Sequence, residues 1–162
     1  MSKRVLVVKP GPEFILKTEH VQKFFLNKLT ENINASLKKN SLKFETVYDR
    51  TRLLIYSENL EDVQKILERV FGIQSSFVAQ EFVFSSFDDL VEKVLQIAVE
   101  NLQGVKTFAV RANRTKNHKF TSKQIEEELG GKILEKIPSL KVNLKHPEKT
   151  VFVDLREKRF FV

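Results

Sequence analysis

The chain has 162 residues, of which 41% are hydrophobic and 30% are charged, so it can form a folded core of one domain or two small ones. Its formal net charge of +7 favours a polyanionic partner, and the absence of cysteine excludes a disulfide framework, a thiolate metal site and a cysteine nucleophile within these residues. The sequence shows no apolar run of membrane-spanning length and no secretory leader, so we expect a cytoplasmic protein.

The first half of the chain alternates strand and helix patterns. A β-branched run at Arg4–Val8 predicts a buried strand, and apolar residues at helical spacing between Thr18 and Lys39 predict a long helix. A β-hairpin at 42–57, a helix from Asn59 to Gly72 and a strand at Ile73–Phe84 follow. This β-α-β-β-α-β order is that of the ferredoxin-like fold.

The second half predicts another α/β unit. Its elements are a helix that opens at a Ser86–Asp89 capping box and ends at Gly104, a strand at Lys106–Ala112, a helix at Thr121–Lys136, and strands within Leu140–Leu144 and Thr150–Val162. The predicted class is therefore α+β, with a ferredoxin-like domain at residues 1–84 followed by an α/β domain at residues 85–162. The pair Gly130-Gly131 falls in the second helix, where close packing or a kink would explain it.

Motifs for catalysis are missing from the sequence. The five glycines form neither a phosphate-binding loop nor a dinucleotide fingerprint, and the three histidines have no metal-ligand spacing. No serine lies in a nucleophile elbow. We therefore predict no catalytic residue, no metal ligand and no cofactor in this chain.

A basic segment between a strand and a helix start is the strongest positive signal. It contains Arg111, Arg114, Lys116, Lys119 and Lys123, with no acidic residue among them. Arginines hold phosphate oxygens in a bidentate fork, and the first N–H groups of a helix favour an anion. The alternative is a set of ordinary solvated charges on a turn; we favour an anion-binding site.

Phe120, inside this segment, has two interpretations. It could stack on a nucleobase, as aromatic residues do in RNA-binding sites. If Thr121 is the N-cap, however, Gln124 completes a capping box, and Phe120 and Ile125 occupy the two positions of a hydrophobic staple. We favour the staple.

Several stretches together resemble the tRNA 4-thiouridine sulfurtransferase family (ThiI). The THUMP RNA-binding domain of that family is similar to FAVRANRTKNHKFTSKQIEEELGG, which starts at Phe108, and to VNLKHPEKTVFVDL, which starts at Val142. Its N-terminal ferredoxin-like domain is similar to PEFILK, NI and VFGI upstream. The resemblance covers nearly the whole chain. If the THUMP domain is defined by a family profile, we expect its first residue to lie nearer residue 60 than residue 85.

The resemblance implies a module that grips the acceptor stem and 3′ CCA end of tRNA for 4-thiouridine formation. Family-like positions hold Arg111, Arg114, His118 and Ser122, and the charge of the segment adds Lys116, Lys119 and Lys123; we predict that these seven residues contact RNA. A separate pyrophosphatase-type domain of the family uses ATP, but its nucleotide loop and its sulfur-handling cysteine are absent from these residues. We therefore expect no enzyme activity from this chain alone, and either a homodimer or a separate catalytic subunit as its partner.

The sequence departs from the family at two places. Asn113 and Asn117 stand where the family often has basic residues, and TEHVQK from Thr18 replaces a basic turn. Two alternatives remain open: the RNA-binding module of another modification system, such as a methyltransferase, and a scaffold subunit that binds protein.

Overall fold

The computed structural model of the chain describes residues 2–115 and 117–162, apart from the side chain of Ile15. Its elements are β1 (Lys3–Pro10), α1 (Pro12–Ile15), α2 (Glu19–Lys39), β2 (Glu45–Asp49), β3 (Arg52–Tyr56), α3 (Leu60–Leu67), β4 (Ile73–Val83), α4 (Phe87–Asn101), β5 (Thr107–Arg114), α5 (Ser122–Lys136), β6 (Lys141–Val142), β7 (Lys149–Arg156) and β8 (Arg159–Phe161). The predicted α+β class is confirmed. Within the described ranges, no helix is both long and apolar enough to cross a membrane.

The first compact unit is Arg4–Ala79, and it has the predicted ferredoxin-like element order. Its strands lie in the order β2-β3-β1-β4, and β3 is antiparallel to both β1 and β2. The apolar stripe of α2 is buried through Leu26, Leu29, Ile33 and Leu37 because these residues recur at helical spacing on one face. That stripe and the stripe of α3 form one core with the strands.

The second compact unit is Gln80–Val162 together with Ser2 and Lys3 at the start of the chain. Its strands lie in the order β4-β8-β7-β5-β6, where β5 runs parallel to β6 and β7, and β8 is antiparallel to β4 and β7. Helices α4 and α5 bury their apolar faces with these strands in a second core. Because β4 has residues in both units, the boundary that we predict after residue 84 remains a prediction.

Two predicted boundaries in the second unit differ from the structure. Strand β5 continues to Arg114 instead of ending at Ala112, because its pairing with β7 extends to the Arg114–Leu155 register position. Strand β6 ends at Val142, because the side chain of Asn143 accepts hydrogen bonds from the backbone of the loop that follows. The end of β5 is decided by a strand partner distant in sequence, and the end of β6 by a local turn.

The glycine pair of α5 does not reflect close packing. Gly130 and Gly131 lie in the interior of a continuous helix, and a Cβ atom built on either would meet no atom within 4 Å outside the helix backbone. The packing explanation that we considered for this pair is therefore wrong.

Candidate RNA interface

The two arginines of the basic segment lie on opposite faces of the sheet. Both belong to β5, where successive side chains alternate between faces. Val110 and Ala112 belong to the core beneath the helices, so Arg114 shares the helix-covered face at the end of the strand. Arg111 points to the other face. The two arginines of the basic segment therefore do not belong to one continuous surface.

On the helix side, Arg114 lies beside a small polar cluster at the carboxyl end of β5. His118 Nε2 lies 3.3 Å from the hydroxyl oxygen of buried Thr115, and the His118 ring stacks on Phe120 with centroids 5.5 Å apart. Burial, and to a smaller extent the charge of Arg114, lowers the pKa of His118 below its usual value. At neutral pH this histidine is therefore an uncharged hydrogen-bonding group.

Phe120 is anchored in the protein rather than presented to a ligand. Its ring packs against Phe87 at a centroid distance of 4.9 Å and against Phe84 at 6.3 Å, and it adjoins the core that contains Ile125. This packing agrees with the structural role that we favour from the sequence. The stacking partner of Phe120 on its polar side is His118.

The start of α5 carries the predicted capping box. Thr121 Oγ1 accepts from the Gln124 N–H, and the Gln124 side chain accepts from the Thr121 N–H. Because the box occupies the Gln124 N–H, the amides of Ser122 and Lys123 are the first-turn donors left to face an anion. The side chain of Lys123 is exposed and lies 3.6 Å from Glu127, so its charge is partly compensated.

One acidic side chain reaches into this region from α5. Glu126 Oε1 accepts a 2.9 Å hydrogen bond from the Ala112 N–H. Strand β6 pairs with β5 only at Thr107 and Phe108, so the rest of that edge needs another acceptor. The glutamate fixes the helix to the strand. Its carboxylate binds the backbone of Ala112, a residue between Arg111 and Arg114, and so brings a negative charge to this part of β5.

A second loop approaches β5 on the Arg111 side, and the sequence prediction did not include it among the site residues. Arg111 donates a 2.6 Å hydrogen bond to the Leu144 carbonyl, while Asn143 accepts from the N–H groups of Lys145 and His146. Lys145 and His146 are exposed as a result. The signal that could have found this loop is Asn143, since asparagine commonly caps such turns.

The remaining predicted site residues are distributed along the same segment. Lys119 is exposed and Ser122 is half-buried at the helix start, whereas Lys116 lies outside the described residues. The structure thus brings together Arg114, His118 and the start of α5 at one edge. It places Arg111 with the loop after β6 instead.

The fold and this edge define a protein with a ferredoxin-like domain followed by an α/β domain that carries a basic edge. A family model of the ThiI ferredoxin-like domain matches residues 5–76, and a family model of the THUMP domain matches residues 84–162. The chain therefore belongs to the ThiI-type proteins that combine these two domains.

Individual relatives agree with that assignment. A tRNA sulfurtransferase from Blochmanniella pennsylvanica (strain BPEN) is 29% identical over 97% of this chain and 33% of its own length. A tRNA sulfurtransferase from Haemophilus influenzae (strain PittEE) is 34% identical over 96% of this chain and 33% of its own length. The chain spans about a third of the length of these curated relatives.

Two solved structures share the fold. A 4-thiouridine synthetase in complex with RNA and with bound ATP is 28% identical, with a TM-score of 0.70, over 98% of this chain and 40% of that chain. A Pyrococcus horikoshii protein is 23% identical, with a TM-score of 0.80, over 98% of this chain and 52% of that chain. The second likeness supports the fold alone.

Proposed function

We propose that this chain is a tRNA-binding module that holds the acceptor stem and the 3′ CCA end for uridine thiolation by a catalytic domain outside these residues. The observation that carries the proposal is the edge formed by Arg114, His118 and the start of α5, within the THUMP domain match. The relatives named tRNA sulfurtransferase and the 4-thiouridine synthetase–RNA complex favour thiolation over another RNA modification.

The chemistry of this edge suits a terminal phosphate group. The hydrogen bond from Arg114 to the Thr115 carbonyl is long, at 3.4 Å, and therefore weak. The guanidinium can exchange it for two parallel hydrogen bonds to phosphate oxygens. The free amides of the α5 first turn add donors aligned with the helix dipole. Neutral His118 can donate or accept a hydrogen bond to a ribose hydroxyl, which distinguishes RNA from DNA. A short cluster of this kind reads an end better than a long duplex.

The chain by itself would bind without catalysing. ATP would be used by the catalytic domain, which a homodimeric arrangement or a separate subunit would bring to the bound tRNA. The protein-scaffold alternative has no observation in its favour here.

The test compares intact tRNA with tRNA trimmed of its CCA end, at one fixed salt concentration. We expect trimming to weaken binding by at least about tenfold, or about 1.4 kcal/mol, because the terminal phosphates and bases are lost. The variant Arg114→Ala should weaken binding of intact tRNA by about 1–3 kcal/mol, and should weaken binding of trimmed tRNA much less. Fluorescence anisotropy of labelled tRNA measures both.

Lys141→Ala is the matched control, because Lys141 is exposed on β6 beside Thr107, at the other end of β5. It removes one charge without touching the proposed edge. Equal losses for the two variants, or equal affinities for intact and trimmed tRNA, would leave only a nonspecific basic surface.

A further inference from the structure

An exposed aromatic ring lies on an interior strand of the second unit. Phe152 is 63% exposed, although its strand neighbours Val151 and Val153 are buried in the core. Strand β7 pairs with β5 at the Arg111–Phe152 register position, so the ring stands on a paired strand, although β8 pairs with β7 only from Asp154 onward. A single exposed phenylalanine is ordinary on a protein surface, so its neighbours decide whether it has a role.

The neighbour of Phe152 on strand β5 is Arg111, which lies on the opposite face of the sheet from Arg114. Arg111 and Phe152 are register partners on parallel strands, so both side chains project from the face opposite the helices. The hydrogen bond from Arg111 to the Leu144 carbonyl, 2.6 Å long, holds the guanidinium in place. The sheet thus presents a flat ring and a fixed cation side by side.

The connection from β6 to β7 contacts Arg111 through the Leu144 carbonyl. It must pass β5, which lies between the two strands, and it is tied to β5 at both ends: Asn143 N–H donates to the Phe108 carbonyl, and Glu148 N–H donates to the Thr107 hydroxyl and carbonyl. Leu144, in the middle of the crossing, is 59% exposed. Arg111 therefore connects Phe152 and Leu144: it is the register partner of Phe152 and it binds the carbonyl of Leu144.

The local charge favours an anionic ligand there. The carboxylate of Asp154, two residues along β7, is bound by Arg156 at 3.1 Å, and the carboxylate of Glu148 accepts from the Lys106 N–H at 2.9 Å. Arg111 supplies positive charge on this face, and the exposed Lys145 follows Leu144, whose carbonyl Arg111 binds. A ligand that is both planar and anionic matches this combination, and a nucleotide has both properties.

We propose that Phe152 and Arg111 form a binding site for one unstacked nucleotide of a single-stranded RNA segment. The base stacks on the Phe152 ring, and the Arg111 N–H groups that do not face Leu144 contact the adjoining phosphate. This inference rests on the proposed RNA-binding function and adds a second reading surface, on the face of the sheet opposite Arg114. The single-stranded end of a tRNA can reach it only if its bases splay apart, which such ends do readily.

The experiment uses the full chain and two RNA hairpins, one blunt and one with a single-stranded 3′ overhang that contains 2-aminopurine. Stacking on an aromatic ring quenches 2-aminopurine fluorescence. Stacking of a base on an aromatic ring contributes to the binding free energy, and Phe152→Leu removes the ring. The substitution should therefore weaken binding of the overhang hairpin about tenfold and abolish the quenching. Phe152→Tyr should retain both, and binding of the blunt hairpin should not change.

Phe71→Leu is the matched control, since Phe71 is 90% exposed in the other compact unit and undergoes the same substitution. Thermal melting of each variant verifies the fold. Suppose that the unmodified chain prefers the overhang hairpin, and that the Phe152→Leu variant shows the same affinity and the same quenching as the unmodified chain. This inference is then overturned, while the proposed function stands. The same losses in Phe71→Leu would also overturn it. If the unmodified chain binds neither hairpin, the proposed function fails as well.

Discussion

At the scale of single residues, cations that are neighbours in sequence have different surroundings in the fold. Arg111 lies on the open face of the sheet and binds the Leu144 carbonyl, Arg114 lies beside His118, and Lys123 lies near Glu127. Counting charges along the segment therefore overstates how many of them act on one ligand. Strand alternation alone would have separated the two arginines if the end of β5 had been placed correctly.

His118 should make stability depend on pH. Its pKa is lowered in the folded protein, so the unfolded chain takes up the proton first as the pH falls. The contribution of the neutral ring is complete above about pH 6.5 and is lost as the pH falls below that value. Urea unfolding between about pH 5 and pH 7.5 should therefore give a shallower pH slope for His118→Gln than for the unmodified chain.

The control for this experiment is His20→Gln, because His20 is an exposed residue on α2 in the other unit. A slope for His118→Gln that is unchanged from the unmodified chain would contradict the burial argument.

At the scale of elements, local sequence signals decide where α4 and α5 begin, whereas α1, α2 and α3 begin without a side-chain cap. Thr121 and Gln124 form a complete capping box, and Ser86 accepts from the Asp89 N–H as predicted. The Asp89 carboxylate reaches the Ser85 N–H and not that of Ser86, so the second box is shifted by one residue. Helix α3 ends at Leu67, so the helix end that we predict at Gly72 is wrong; Gly72 lies in the turn before β4, and few other residues adopt its φ of +95°.

Replacing the glycines of α5 should stabilise the protein. Gly130 and Gly131 lie inside the helix, and an added methyl group on either meets no atom within 4 Å outside the helix backbone. Gly130→Ala and Gly131→Ala should each raise the free energy of unfolding by about 0.5–1 kcal/mol, because alanine loses less conformational entropy in a helix. Chemical denaturation measures the change.

Gly72→Ala is the opposite case, and it should destabilise the protein. Its φ is +95°, and an added Cβ would lie 2.8 Å from the Phe14 ring. A loss of stability in the α5 variants comparable to that of Gly72→Ala would show that the helix needs its glycines for a reason other than packing.

At the scale of the whole molecule, the chain holds two compact units, each with its own core and its own excess of positive charge. Residues 1–84 carry 13 basic and 10 acidic side chains, and residues 85–162 carry 15 and 11, so the net charges are +3 and +4. Binding of RNA to the basic side chains of either unit should lose affinity steeply as salt rises, through counterion release.

The whole chain should bind tRNA without chemistry. It has no cysteine to carry sulfur, and none of its five glycines lies in a nucleotide-binding loop, so we expect no ATP hydrolysis, no tRNA-dependent release of AMP and no sulfur transfer. Thin-layer chromatography of labelled ATP, incubated with the chain and tRNA, measures nucleotide release. Release of AMP above the level without protein would contradict this expectation.

The sequence by itself determined the element order and the caps of α4 and α5, because periodicity and capping depend on residues within one or two turns of each other. It carried the resemblance of both domains. It also identified the basic segment. Only the tertiary structure decided that β5 extends to Arg114, that Glu126 occupies the Ala112 N–H, and that Phe152 lies exposed beside Arg111. These facts depend on which strands pair and in what register, and pairing joins residues about 40 positions apart that no local pattern connects.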